Sequence, residues 1–154
     1  MGDATAQRTA ERVGHWMTAN DRFARLLGIE LLAVRPGYCK VAMPVSAEMV
    51  NGVGTTHGGA TFTLADFAFA VAGNSHGRTA VALSTQMSYP AASRAGDTLT
   101  AEAFEEALGG RTGLYRIEVR RGDGALVGLF TGTVFRRSDP IGPAAEVGEG
   151  QVGG

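Results

Sequence analysis

The chain has 154 residues and a mass of 15.9 kDa, enough for one domain with a sizeable core and little room for a second. Apolar residues make up 44% and charged ones 19%, which excludes a disordered or acidic-tail protein. Fourteen Lys+Arg against fifteen Asp+Glu leave a formal charge of −1, without the basic excess that nucleic-acid binding calls for, and a lone cysteine, Cys39, cannot build a disulfide framework.

Met1 to Arg12 mixes Asp3, Gln7, Arg8, Glu11 and Arg12 with alanines. That is no secretory signal, and Ala6 stands where a myristoylation pattern needs Ser or Thr. The longest clearly apolar stretch, Phe67 to Ala72, is far short of the ~20 residues that cross a bilayer. The expectation is a soluble, cytoplasmic protein with neither membrane nor nucleic acid as partner. Residues 5–18 predict an amphipathic helix with Ala6, Ala10, Val13, Trp16 and Met17 near one stripe. Asn20-Asp21 caps a short second helix that Gly28 closes. Ile29–Val34 and Tyr38–Val45 read as strands joined by the turn Arg35-Pro36-Gly37, and Ser46–Thr56 as irregular chain.

The longest helical segment comes next, about residues 57–75, ended by His76-Gly77. Four strands follow: Thr79–Tyr89, Asp97–Ala107, Leu114–Arg121 and Ala125–Arg136. The third alternates cleanly, with Tyr115, Ile117 and Val119 on one face and Arg116, Glu118 and Arg120 on the other. Strands joined by short turns make an antiparallel sheet, so the predicted class is α+β, with six curved strands around one central helix. The domain spans 1–137. Residues 138–154, rich in Gly, Pro, Glu and Ala without periodicity, are predicted to be a flexible tail.

Between Glu48 and Arg78 the only formally charged side chain is Asp66. It lies in mid-helix, with Phe62, Thr63, Phe69 and Ala70 three and four residues away. A carboxylate on such a surface loses hydration worth several kcal/mol unless something compensates. Either it pairs with a buried arginine or backbone donor, or it lines a cleft as a base or nucleophile. The preceding loop reads Asn51-Gly-Val-Gly-Thr-Thr-His57-Gly58-Gly59. Two glycines in a first helical turn weaken it by roughly 1 kcal/mol each, but they leave bare N–H groups at the positive end of the helix dipole, suited to an oxyanion. The alternative is that they only let the helix start close beneath a strand. No Gly-Lys-Ser/Thr is present for a phosphate-binding loop. His15, His57 and His76 lack metal-ligand spacing, so no metal is expected, and His15 and His76 read as surface or structural histidines.

At these residues the sequence resembles the hotdog-fold acyl-CoA thioesterases, specifically the phenylacetate-degradation thioesterase family. The matching run is Asn51 to Asp66: an Asn six before the His, the His-Gly-Gly, and the Asp nine after the His. Gly96 to Ala101 and Gly110 to Tyr115 resemble the family's next strands, so the likeness covers about residues 20–137. It implies a hotdog fold, a homodimer whose sheets join and whose site needs both chains, and a homotetramer of such dimers. It implies hydrolysis of an acyl-CoA, with phenylacetyl or hydroxylated aryl-acetyl groups as the acyl part, to free acid and CoA. Asp66 would serve as general base or nucleophile and the Gly58 N–H as oxyanion donor. Asn51 would help place the carbonyl or water, and His57 would order the loop. Gly59, Phe62 and Phe69 are candidate substrate contacts. Some relatives carry a hydroxyl on the strand after the helix. Here Ala82 aligns with it, leaving Ser84 and Thr85 as pocket candidates.

A thioester is already activated, so a placed carboxylate and one or two donors suffice, and no cofactor beyond the substrate's own coenzyme A is expected. The coenzyme's phosphates call for positive charge, which Arg94, Arg111, Arg136 or Arg137 could supply. Two other readings compete. A hotdog dehydratase or hydratase would want a helix His near the acid. A non-catalytic acyl-CoA-binding module would do better without a desolvated carboxylate.

Overall fold

The computed structural model describes residues 2–143. Helix α1 (Gly2–Asn20) and the short α2 (Arg22–Leu26) precede strands β1 (Glu30–Arg35) and β2 (Tyr38–Pro44). A 3-10 turn (Ala47–Met49) and the long helix α3 (Gly58–Asn74) follow, and then β3 (Arg78–Ser88), β4 (Thr98–Leu108), β5 (Thr112–Arg120) and β6 (Leu126–Pro140). The strands form one antiparallel sheet in the order β1-β2-β4-β5-β6-β3, so β1 and β3 are its edges. This is the six-stranded α+β hotdog architecture expected from the element order.

Helix α3 lies across the inner face of the sheet because almost every side of it is apolar. Leu64, Ala65, Phe67, Ala68, Phe69, Val71 and Ala72 are all buried. They meet the inward residues of alternating strands: Val41 and Met43, then Leu99, Ala101 and Ala103, then Tyr115, Ile117 and Val119. Register puts Ala101 opposite Val119 and Ala103 opposite Ile117, so small side chains beneath the helix alternate with larger neighbours and the helix sits close. Gly132 on β6 is needed at its position, since a Cβ there would stand 2.7 Å from the Phe69 ring.

Helix α1 departs from the predicted stripe. Ala10, Val13 and Gly14 are buried, whereas Ala6 and Trp16 are exposed. A helix of 19 residues is about 28 Å long, longer than the about 20 Å of the six-residue β1 on which it packs, and its first turns border an open cavity with Pro36, Ser75 and His76. Trp16 instead lies beside Gly142, and Arg12 donates to the carbonyls of Ile141 (3.4 Å) and Pro143 (3.0 Å). The last strand therefore runs on through Ser138–Pro140, where Arg78 pairs with Pro140, and the chain to Pro143 rests on α1. These six residues fall in the segment read from sequence as tail. Residues 144–154 of that tail lie outside the described residues.

Candidate active site

The start of α3 is built by its own loop. Val50 bridges to Thr56, and the Asn51 side chain fills the bend between them. Its Oδ1 accepts from the N–H groups of Val53 (3.0 Å) and Thr55 (3.1 Å), and its Nδ2 donates to Thr55 Oγ1 (3.1 Å). Thr56 N–H donates to the Ser93 carbonyl (2.8 Å), and Ser93 Oγ bonds Thr56 Oγ1 (2.6 Å) with both side chains buried, which clamps the loop to the β3–β4 connection. Asn51 therefore orders the loop directly and keeps one amide hydrogen without a partner among the described residues.

His57 is the N-cap of α3, its Nδ1 accepting from the Gly59 N–H at 2.9 Å. The capped donor is thus Gly59. The Gly58 N–H, first of the helix, has no acceptor among the described residues. A Cβ at Gly58 would sit tight against the half-exposed Tyr89 ring at 3.3 Å, and the Tyr89 hydroxyl donates to the Gly58 carbonyl at 3.2 Å. A cavity of about 270 Å³ opens here, lined by Asn51, Gly58, Thr61, Tyr89, Ser93 and Val127 among others. An unpaired amide at a helix N-terminus in such a cavity is a donor for a negatively charged oxygen.

Asp66 does not line that cavity. At 1.5 Å per residue it sits about 12 Å farther along the helix axis than Gly58. It is half-buried, and among the described residues no hydrogen bond or ion pair engages its carboxylate. Burial pushes its pKa above the ordinary carboxylate range, and the nearby charge of Asp21 pushes the same way. The arginine pair that would have made Asp66 merely structural is not formed. The pKa of the buried Cys39 thiol is raised by desolvation, so it is no thiolate source.

Comparison with known proteins bears on what such a helix does. The sequence matches the model of the Thioesterase superfamily over residues 53–128, the stretch that contains Gly58 and Asp66. It is 43% identical over 122 residues to the acyl-coenzyme A thioesterase PaaI of Escherichia coli, spanning 79% of this chain and 87% of that one. The chain belongs to the thioesterase superfamily. It is a thioester hydrolase. The solved structure of the E. coli PaaI protein, from the phenylacetic acid degradation operon, superposes with a TM-score of 0.85 at 40% identity, covering 87% of this chain and 97% of that one. A mutant of the phenylacetic acid degradation protein PaaI from Thermus thermophilus gives 0.72 at 47% identity over 75% and 98% of the two chains. A Streptococcus mutans protein solved with acetyl CoA gives 0.69 at 27% identity over 71% and 88%.

In this thioesterase the remaining sequence candidates separate. Phe69 is 1% exposed and packs against Tyr115 and Phe130, so it belongs to the core and not to a pocket wall. Phe62 is half-buried, leaning on Phe130. Ser84 and Thr85 are exposed on the edge strand β3, away from the Gly58 cavity. Gly59 has its N–H occupied by His57. Thr61, Tyr89 and Ser93 were not anticipated. Tyr89 and Ser93 come from a connection some thirty residues downstream in sequence, which the Thr56–Ser93 clamp and the Tyr89–Gly58 bond bring to the loop. His15 is exposed at the surface, and His76 bonds Glu105 at 2.6 Å, in line with the expectation of surface or structural histidines. Among the described residues no three His, Cys, Asp or Glu side chains cluster to hold a metal ion, and no helix is long and apolar enough to cross a membrane.

Proposed function

We propose that this thioesterase hydrolyses acyl-CoA thioesters to free acid and CoA, with phenylacetyl or hydroxylated phenylacetyl as the acyl group, in a site made by two copies of the chain. The observation that carries the proposal is a pair of unpartnered groups on one helix. The Gly58 N–H and the Asp66 carboxylate both lack partners among the described residues, yet stand about 12 Å apart, too far to serve one carbonyl together. A second copy, pairing its β3 with the exposed β3 of the first, would bring Asp66 of one helix to the Gly58 amide of the other. A homotetramer of two such dimers extends the reading.

Asp66 removes a proton from water, whose oxygen attacks the thioester carbon. The carbonyl oxygen takes up the negative charge beside the Gly58 N–H. The C–S bond then breaks, and the proton passes to the departing thiolate. In the nucleophilic variant the Asp66 oxygen attacks first, expels the thiolate and leaves a mixed anhydride that water cleaves. A thioester is activated enough for either route without a metal. The raised pKa of Asp66 makes it a better base than a solvated carboxylate. The names of the E. coli and T. thermophilus relatives support the aryl-acetyl substrate.

The test is thiol release from phenylacetyl-CoA by the purified protein. Asp66→Asn is expected to lower turnover by ~10²–10⁴-fold while folding normally. Undiminished turnover in Asp66→Asn overturns the assignment. In a single turnover in ¹⁸O-water, label in the Asp66 carboxylate marks attack on carbon. A panel of acyl-CoAs reads the acyl preference, and equal rates for phenylacetyl-CoA and acetyl-CoA would remove the aryl assignment.

A further inference from the structure

Six polar side chains line the Gly58 cavity: Asn51, Thr55, Thr56, Thr61, Tyr89 and Ser93. Five of them are engaged by the protein itself. Asn51 and Thr55 bond each other, Ser93 bonds Thr56, and the Tyr89 hydroxyl donates to the Gly58 carbonyl. The sixth, Thr61, is only 4% exposed, yet its hydroxyl has no partner among the described residues. A hydroxyl withdrawn from water without a replacement bond is costly, and folded proteins rarely leave one so.

The usual remedy is blocked. A helical threonine can donate back to the carbonyl four residues earlier, as Thr63 does to Gly59 and Thr18 to Gly14, both at 2.8 Å. For Thr61 that carbonyl belongs to His57, and it already accepts the N–H groups of Ala60 (2.9 Å) and Thr61 itself (3.4 Å). The methyl group is held on another side. A Cβ at Gly128 of β6 would stand 3.4 Å from Thr61 Cγ2, so the methyl rests against that strand. Packing sets the rotamer, and the hydroxyl is the group left to the cavity.

Thr61 comes three residues after Gly58, on the same face of α3, and helical side chains lean toward the N-terminus. Its hydroxyl therefore lies over the first turn, where the Gly58 N–H opens into the same cavity. The two donors are complementary. The amide is fixed in the backbone, while a hydroxyl proton rotates to meet charge where it develops. A carbonyl oxygen that becomes a tetrahedral oxyanion gains a lone pair, and a single N–H leaves the others unmatched.

We propose that the Thr61 hydroxyl is a second oxyanion donor of the hydrolytic site, acting beside the Gly58 N–H of the same chain. This rests on the acyl-CoA reading above. As the attacking oxygen bonds to the thioester carbon, the π pair of the C=O moves onto the carbonyl oxygen. The Thr61 O–H and the Gly58 N–H donate to that oxygen and keep their protons. When the C–S bond breaks, the pair returns to re-form the C=O, and the sulfur leaves with its bonding electrons. The same two donors serve whether water or the Asp66 carboxylate makes the attack. Because these bonds strengthen as charge develops, Thr61 acts on kcat more than on KM.

The test compares the intact wild-type protein with Thr61→Val and Thr61→Ser in thiol release from phenylacetyl-CoA. Valine keeps the shape and the contact with β6 and deletes only the hydroxyl, so Thr61→Val should melt no lower than wild type. Its kcat should fall by ~10²-fold with KM within about twofold, and Thr61→Ser should recover most of the loss. On the corresponding dithioester, whose C=S sulfur is a weaker acceptor, the gap between wild type and Thr61→Val should narrow to less than about tenfold. Undiminished kcat in Thr61→Val, a loss carried by KM alone, a serine variant as slow as the valine one, or an equal gap on both substrates would each overturn the proposal. So would a Thr61→Val protein that melts well below wild type, since the hydroxyl would then be bonded within the fold. If wild type releases no thiol from any acyl-CoA, the functional reading fails and the assignment falls with it. Wild-type turnover that Thr61→Val preserves removes the assignment alone.

Discussion

The two edges of the sheet face the same problem and handle it differently. An unpaired strand offers a row of N–H and C=O groups to any other strand. β1 is short, six residues, carries Glu30 and Arg35 at its ends, and breaks register between Leu31 and Ala33. Helix α1 packs beside it, and Gln7 donates to the Val34 carbonyl at 3.0 Å, closing a backbone group that would otherwise face outward. β3 runs for 11 residues with no formal charge after Arg78. Its first outward groups are met by Asn74, whose side chain bonds the N–H and carbonyl of Ala80 at 2.8 and 3.1 Å. From Val81 to Ser88 no side chain or loop caps it among the described residues, and Val81 and Leu83 stand 44% and 60% exposed. One edge is finished within the chain and the other is left to be completed. On the function proposed above, this open edge is where a second copy would pair to complete the site.

Breaking the open edge should have the largest effect. Leu83→Lys is expected to turn dimer into monomer in sedimentation and to reduce thioester hydrolysis by ~10²-fold or more, because a separated Asp66 and Gly58 keep none of the geometric advantage of a joint site. Leu32→Lys, at an equally exposed leucine on β1 (52%), should change neither. If both variants behave alike, the two edges are not distinct in function.

The carboxylate that the open edge would cover gives the next prediction. Its folded-state pKa is raised by burial and by Asp21, and a second copy laid over it, as proposed, would deepen the burial in the same direction. Ionisation is therefore costlier folded than unfolded. The penalty is absent below the ordinary carboxylate range, where both states are protonated. It grows as pH rises through the window up to the raised value, and is complete above it. Asp66→Asn should accordingly melt higher than wild type at neutral pH, with the two curves converging in acid. The acid limb of kcat should lie above the ordinary carboxylate range. Convergence at neutral pH instead would mean that the acid is not desolvated.

Opening the finished edge should matter less. Gln7→Ala removes the bond to Val34 and is expected to cost about 1 kcal/mol, a Tm decrease of roughly 2–8 °C, with hydrolysis retained. The smallest effect is expected at the rim of the Gly58 cavity. Tyr89→Phe deletes one half-exposed hydroxyl–carbonyl bond and should change kcat/KM by no more than about fivefold, within ~1 kcal/mol.

Much of the site was legible because its signals are local. Asp66 stands out as one acid among apolar helical neighbours, and the glycines after His57 announce a bare helix start. His57 as N-cap and Asn51 as the loop's own brace follow from short-range bonding of the kind those residue types favour. The phenylalanines were not legible. Phe62 and Phe69 are seven apart on one helix and share a face, but Gly132 makes room for the Phe69 ring in the core while Phe62 stays half-buried. Among the arginines, Arg111, Arg136 and Arg137 could be singled out with Arg94, yet not the cavity that the first three line with Arg78 and apart from Arg94. Which of them stand together depends on β3 pairing with β6, and nothing in the spacing of the residues reports that register.

Alternation of apolar residues and the placement of turns were enough to determine six strands, one apolar helix and the order in which they come, since these depend on interactions a few residues apart. The tertiary structure alone decided which side chains became neighbours across the sheet. It gathered Arg78 with three other arginines, attached Tyr89 and Ser93 to the Gly58 loop, and left β3 uncovered while α1 covered β1. Such outcomes depend on strand register and on which surface each helix meets, contacts between segments far apart in the chain, where no periodicity carries the information.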